Sequence, residues 1–303
     1  WAWLAILCLP SAYSVLRVFS YGEPFLTARP LAEALSLFAL GWLIRRRLLV
    51  AALCLFAAGL LHPLQSLGAL LIAWPWLILQ DRRWWHLAWL GLPVVALGLT
   101  SIRPFDGLYR VLDPTWLKDL SDFTLQLFVT QWYPVDWAML ARDLLLLGYA
   151  GWRLRDAFGR WCVAGLAGLL LGIGASLVLA DLLHLALPTA LQLWRTHWLA
   201  HWLANAAIGV LLYHDLSSRQ WQRASILALF TTMTASGFLW TWAPVLLVYV
   251  AWPRLQAHTT SGFQQALGGL AILFMLGLLA ALVAEEWLPF RLAHYRFDFY
   301  AID

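Results

Sequence analysis

Charged side chains are scarce in this chain: only 12% of its 303 residues are Asp, Glu, Lys or Arg, whereas 62% are apolar. Residues 48–80 and residues 224–253 contain none of these four residue types. A composition so poor in charge excludes an ordinary soluble domain. About 20 consecutive apolar residues cross a bilayer. Each charge-free stretch is longer than one such span and begins and ends beside basic residues, which predicts a helical hairpin that returns to its starting side.

Cysteine pairs and the common catalytic motifs are also missing. Cys8, Cys54 and Cys162 lie in apolar runs without paired spacing, which excludes a disulfide framework and a cysteine metal site. The chain has no Walker loop, GxGxxG, HExxH or GxSxG motif. Its pI near 9.2 comes from basic residues in short loops between apolar runs. We therefore expect membrane lipid as a partner, and neither nucleic acid nor a cofactor.

The distribution of basic residues predicts the topology. Loops rich in Arg or Lys are expected on the cytoplasmic side, and they lie at 45–47, 81–84, 153–160 and 216–223. Residues 101–136 and the tail after Glu285 would then face outward. The prediction is an all-α, polytopic transmembrane bundle of about ten or eleven spans, forming a single domain over residues 1–303 in a bacterial inner (plasma) membrane. The chain begins at Trp1 rather than Met, so we expect its natural beginning to be missing.

Local signals predict how several of these helices begin and end. Pro30 suits the first position of a helix that ends at the Arg45–Arg47 cluster. His62 and Pro63 mark the tip of the first hairpin, and a span is expected from about His86 to Thr100. Residues 113–128 carry apolar side chains at helical spacing between Lys and Asp, which predicts an amphipathic helix lying on the outer membrane surface.

The outer ends of the predicted spans carry the candidate functional residues, because ionisable groups at membrane depth are costly and tend to be functional. They are Glu23, Arg29, His62, Arg195 and His197. A guanidinium grips a phosphate with two parallel hydrogen bonds, so Arg195, at the outer end of a span, is suited to bind a phosphate. Glu23 is held in the rigid turn YGEPF with no helical partner to explain it, which makes it a candidate functional carboxylate.

Structural explanations remain open for several of these residues. Arg29 and Glu33 have the spacing of a surface ion pair at a helix start, His62 could be a polar turn residue, and Arg195 could snorkel to the interface. His197 and His201 are four residues apart and could bind a metal, but no third ligand follows at suitable spacing, so the sequence predicts no metal site. Arg142 and Asp143 form an internal pair or a proton or ion relay.

The segment YGEPFLTARPLAEALSLFALGWLIRRR, followed by the AAGLLHP stretch, resembles bacterial multi-spanning proteins of the GT-C glycosyltransferase type. This resemblance implies a transferase that uses a polyprenyl-phosphate-linked sugar at the outer membrane face. By this resemblance Glu23 would be the catalytic acidic residue of the first outer loop, and Arg29, His62, Arg195 and His197 would bind the phosphate of the donor. The chain departs from that pattern because its longest outer segment follows a later span and it has no Asp-Asp pair.

Other functions fit the same architecture. An O-antigen polymerase or ligase would use similar outer Arg and His residues. A transporter would place its charges near mid-membrane on broken helices, where Asp143 is the best candidate. A non-enzymatic subunit of a larger membrane complex would use the Trp-rich surface, built from 21 Trp, to pack against protein partners. Aromatic belts at the two membrane interfaces also explain most of these Trp residues.

Overall fold

A computed structural model of the chain describes residues 27–100, 102–103, 105–235 and 240–287, with side chains left undescribed at residue 235 and residues 282–287. Within these ranges the protein is all-α. Its α-helices are α1 Ala28–Ile44, α2 Leu48–Leu61, α3 Pro63–Gln80, α4 Gly91–Leu97, α5 Pro114–Phe123, α6 Pro134–Arg153, α7 Ala157–Ser176, α8 Ala186–Leu191, α9 Thr196–Ser217, α10 Trp221–Ala235, α11 Trp242–His258 and α12 Ser261–Trp287.

Three helical segments among the described residues are long and apolar enough to cross a membrane. They are Pro63–Gln80, Ala157–Leu182 and Ser261–Ala281, with mean hydropathies of 1.2, 2.3 and 1.8. The second one is α7 extended by a π-helical turn over Leu177–Leu182. The apolar helix α2 is shorter, at 14 residues. Length and composition therefore favour a membrane location for an all-α protein.

The first predicted hairpin is confirmed at its tip. α2 ends at Leu61 and α3 begins at Pro63, and the backbone N–H of Gln65 donates to Nδ1 of His62, which caps α3. Pro63 suits the first position of α3 because proline has no backbone N–H, and an N–H at this position would have no partner within the helix. The start of α1 differs slightly from the prediction. The helix begins at Ala28, capped by the hydroxyl of Thr27, so Pro30 is its third residue but still lies in the first turn.

Two predicted elements are shorter than expected. In place of one continuous span from His86 to Thr100, the chain forms a 3₁₀-helix over Arg82–Leu90 and then the seven-residue α4. The predicted surface helix over 113–128 is helical as α5 only up to Phe123. Asp113 caps α5 by accepting from the N–H groups of Thr115 and Trp116, and these bonds hold the pKa of its carboxyl below the usual value.

The described part of the chain divides into two compact units, residues 27–204 and residues 205–287. In the first unit, α7 packs closely on α3. A Cβ added to Gly168 would lie 2.5 Å from the carbonyl oxygen of Leu71, so only glycine allows these two helices to come so near. Trp76 of α3 and Trp161 of α7 stack with ring centroids 4.7 Å apart. In the second unit, α10 packs against α11 and α12.

The starts of several helices gather at one end of the first unit. Gln65 at the start of α3 donates to Glu33 at the start of α1, and Gly68 lies against the backbone of Thr196, where α9 begins. The end of α7 is there as well, because the hydroxyl of Ser176 accepts from the N–H of Trp194. These are the helix ends that the charge pattern assigns to the outer side.

Asp181, just beyond α7, brings the start of α6 to the same end. Its carboxylate accepts from the backbone N–H groups of Val129 and Thr130, at 3.2 and 2.7 Å, and from the Thr130 hydroxyl at 2.6 Å. Backbone hydrogen bonds from Leu112 to His184 and from Ala186 to Arg110 attach the long segment before α6 in a similar way. Asp181 therefore holds loops together at this end of the unit.

Candidate functional site

Glu23, the predicted catalytic carboxylate, lies outside the described residues. The other four predicted site residues are all described, and the structure places three of them in two polar clusters of the first unit. Arg29 and His62 belong to a cluster at the starts of α1 and α3. His197 belongs to a second cluster between α6 and α9, and Arg195 lies just before α9.

The first cluster is a buried ion pair held by a neighbouring helix. Nε of Arg29 donates to Oε1 of Glu33 at 2.9 Å, and the two side chains are only 9% and 11% exposed. Nε2 of Gln65, a fully buried residue of α3, donates to the same carboxylate oxygen. The spacing of Arg29 and Glu33 also fits a surface pair, but the structure buries them. An ion pair removed from water needs such additional hydrogen bonds to offset its desolvation.

His62 is linked to this cluster through Gln65. Nδ1 of His62 accepts the backbone N–H of Gln65 at 3.4 Å, while the side chain of Gln65 reaches Glu33. The same residue also meets α9, because the indole N–H of Trp198 lies 3.4 Å from the carbonyl oxygen of Gln65. Gln65 thus connects the starts of α1, α3 and α9. In the sequence, Gln65 is only one polar residue in a charge-free stretch, and nothing in that stretch predicts its contacts with the other helices.

Arg195 is half-buried and has local partners. Its Nε donates to Oε1 of Gln192 at 2.7 Å, and its guanidinium lies 5.1 Å from the ring centroid of Trp194. Gln192 itself has a left-handed backbone, with φ at 48°. The side chain of Arg195 therefore lies along the entry to α9, on an aromatic face where a cation is favoured.

The second cluster is centred on the carboxylate of Asp143, in the middle of α6. Its Oδ2 lies 2.8 Å from Nε2 of His197 and 2.7 Å from Nδ1 of His201, and Nη1 of Arg142 lies 3.3 Å from Oδ1. All four side chains are at most 3% exposed. The predicted phosphate ligand His197 is therefore engaged by a carboxylate instead.

Sequence reasoning found the members of this cluster but not their association. The sequence predicts an internal pair of Arg142 and Asp143 and places His197 and His201 on one helical face. The acidic group that is missing near these two histidines along α9 is supplied by α6, more than fifty residues earlier. One feature of the sequence points to this cluster. Burying charged residues in a membrane is costly, which favours pairing of charged residues across helices.

A third polar cluster lies in the second unit. The hydroxyl of Tyr249 in α11 donates to Oδ2 of Asp215 at 2.8 Å, and both residues are fully buried. Arg223 of α10 lies 3.8 Å from the same oxygen and 4.8 Å from the Tyr249 ring centroid. The arrangement ties the end of α9 to α10 and α11, which explains these residues structurally.

Comparisons with protein-family models, with curated proteins and with solved structures find no match for this chain. A function for this protein must therefore be inferred from its residues and from the geometry of the clusters themselves.

Proposed function

We propose that this protein is a multi-pass membrane transferase of the GT-C glycosyltransferase type, which moves a sugar from a polyprenyl-phosphate carrier at the outer face of a bacterial inner membrane. The observation that supports this proposal is the buried Arg29–Glu33–Gln65 network at the gathered helix starts. This network places the guanidinium of Arg29, paired with Glu33, at the end of the bundle that the charge pattern assigns to the outer face, where the phosphate of such a carrier would lie.

The proposed chemistry needs few groups. A carboxylate takes the proton of the acceptor hydroxyl, and cationic groups stabilise the phosphate that leaves the sugar. Glu23 is proposed as the base, by its place in the YGEPF segment of the sequence; it precedes Thr27, the cap of α1, by four residues. Arg29 and Arg195, with His62, are proposed to hold the phosphate. His197 is not included among these phosphate ligands, because its Nε2 contacts the carboxylate of Asp143.

The helices beyond the three apolar ones are assigned as spans within this proposal. α1, α6, α9, α10 and α11 contain 15 to 22 residues, close to the about 20 residues that cross a bilayer. Their polar groups pair inside the units, as expected of membrane helices that face protein. A bundle of about ten or eleven spans would also include residues outside the described ranges.

The test is transfer of labelled sugar from polyprenyl-phosphate glucose or mannose by the protein in vesicles. Glu23→Gln should lower the rate by about 10²–10⁴-fold, since the amide keeps the shape but accepts no proton, and donor binding should persist. Arg29→Lys should weaken donor binding because an ammonium cannot form the bidentate phosphate contact. Asp122→Asn and Arg103→Lys change exposed residues in the same way and should be neutral. Wild-type transfer by Glu23→Gln would remove the proposed base.

Ion or proton transport is the second candidate function. The Asp143 cluster favours it, because a carboxylate that contacts two imidazoles in the interior of a membrane bundle is the type of group that relays protons. A proton-flux assay on the reconstituted protein, with Asp143→Asn as the variant, distinguishes the two functions. If the protein carries protons through this cluster, Asp143→Asn should stop the proton flux of the reconstituted protein. A proton flux of wild-type size in Asp143→Asn would exclude this role for Asp143.

A further inference from the structure

The donor atoms of Asp143, His197 and His201 form a compact group. One carboxylate oxygen and one nitrogen from each imidazole all lie within 4.8 Å of one another. The two histidines are one helical turn apart on α9, so their rings project from the same face, and α6 presents the carboxylate opposite them. Residues on two different helices thus converge on one small volume.

The position of His201 is unusual for a simple hydrogen-bonded cluster. Its Nδ1 lies 2.7 Å from the Asp143 carboxylate and 3.4 Å from Nη1 of Arg142. Facing the carboxylate, this nitrogen must carry a proton, whereas facing the guanidinium it must offer a lone pair. A cation between Nδ1 and Oδ2 resolves the contact with the carboxylate, because the nitrogen and the oxygen then direct their lone pairs at the same charge, and the guanidinium keeps its contact with Oδ1 of Asp143.

Two imidazoles and one carboxylate are a donor set of transition metals. Zn²⁺ binds His nitrogen at about 2.0–2.1 Å and carboxylate oxygen at about 2.0–2.2 Å, and catalytic zinc sites with three protein ligands include the His₂-carboxylate type. Tetrahedral geometry at those lengths separates ligand atoms by about 3.3 Å. The present nitrogen–oxygen distances of 2.8 and 2.7 Å would therefore open by only about half an ångström. Mg²⁺ prefers oxygen ligands and is disfavoured.

Arg142 completes the arrangement from outside the ligand set. Its Nη1 pairs with Oδ1 of Asp143 at 3.3 Å, which leaves Oδ2 directed at the histidines and fixes the carboxylate plane. Such outer partners orient metal ligands. The Arg142–Asp143 pair has no net charge, so the ion would keep its own positive charge and favour water or a small anion at its remaining coordination position.

We propose that Asp143, His197 and His201 form a binding site for one divalent transition-metal ion of the Zn²⁺ type, with Arg142 as the positioning residue. The site is independent of the proposed sugar transfer, since none of its ligands is assigned to that reaction. It uses the same atoms as a proton relay, so occupancy by a metal would also argue against the transport candidate.

The first experiment needs only the wild-type protein. Purified in detergent, treated with chelator and titrated with Co²⁺, it should bind one equivalent and develop the visible absorption of a four-coordinate nitrogen–oxygen site. Zn²⁺ should remove this absorption by displacing the Co²⁺, and Mg²⁺ should leave it unchanged. Absence of any saturable Co²⁺ or Zn²⁺ binding to the folded protein would overturn the proposal.

Variants then locate the site. Asp143→Asn and His201→Gln should each weaken Zn²⁺ binding by more than about 100-fold, and Arg142→Gln by about 10–100-fold, as for outer partners elsewhere. His86→Gln changes an exposed histidine and should leave binding unchanged. Size-exclusion profiles show which variants remain folded. Full Zn²⁺ affinity in a folded Asp143→Asn or His201→Gln protein, or loss of binding in His86→Gln, would place the metal elsewhere and refute the assignment.

Discussion

At the scale of single residues, this protein pairs the charges that it buries. Arg29 meets Glu33 and Gln65 in one cluster, and Asp215 meets Tyr249 in another. A buried charge that loses its partner leaves a large desolvation cost uncompensated. These contacts therefore matter more for stability than equivalent contacts on a surface, and they can be tested with conservative substitutions.

Tyr249→Phe is the sharpest test of the Asp215 cluster. The change removes only the hydroxyl that donates to Asp215 Oδ2 at 2.8 Å, so the buried carboxylate loses a hydrogen bond without a large change in packing. We expect the free energy of unfolding to fall by about 1–3 kcal/mol, measured by thermal unfolding in detergent. Tyr213→Phe is the matched control, because Tyr213 is 52% exposed. Equal stability of the two variants would show that the Tyr249 hydroxyl contributes nothing.

At the scale of elements, glycine determines how near α7 comes to its neighbours. Gly168 faces the backbone of Leu71 in α3, and Gly172 faces Leu193 and Thr196 at the start of α9, where a Cβ added to Gly172 would lie 2.6 Å from the Leu193 carbonyl oxygen. Close approach through small residues is the usual way in which membrane helices pack, since lipid offers no hydrophobic driving force between them.

Gly168→Ala should separate α3 from α7, because the new Cβ would meet a backbone oxygen that cannot rotate away. Overpacking of this kind costs about 1–3 kcal/mol, which a lowered melting temperature would report. Gly174→Ala lies in the same helix and meets nothing within 4 Å, so it should be neutral or slightly stabilising through its higher helix propensity. A melting temperature for Gly168→Ala at or above that of Gly174→Ala would contradict the packing argument.

At the scale of the whole molecule, the predicted sidedness follows from basic residues in short loops. Single cysteines at Ser121, in α5, and at Ser218, just after α9, would test it in a background where Cys8, Cys54 and Cys162 are replaced. A membrane-impermeant thiol reagent added to intact cells should label the cysteine at position 121 only, and the one at position 218 should react after the membrane is opened. Labelling of both from the same side would show that the topology is wrong.

The sequence by itself determined the properties that depend on composition and on short-range signals. Scarce charge indicated apolar helices, of which three among the described residues are long enough to cross a membrane, and His62-Pro63 located the tip of the first hairpin. Such features depend on local propensity and on the cost of placing polar groups in lipid. Only the tertiary structure brought Gln65 to Glu33 and Asp143 to His197 and His201. Those contacts join different helices, and the faces that two helices turn toward each other depend on packing across the bundle rather than on residue spacing along either one.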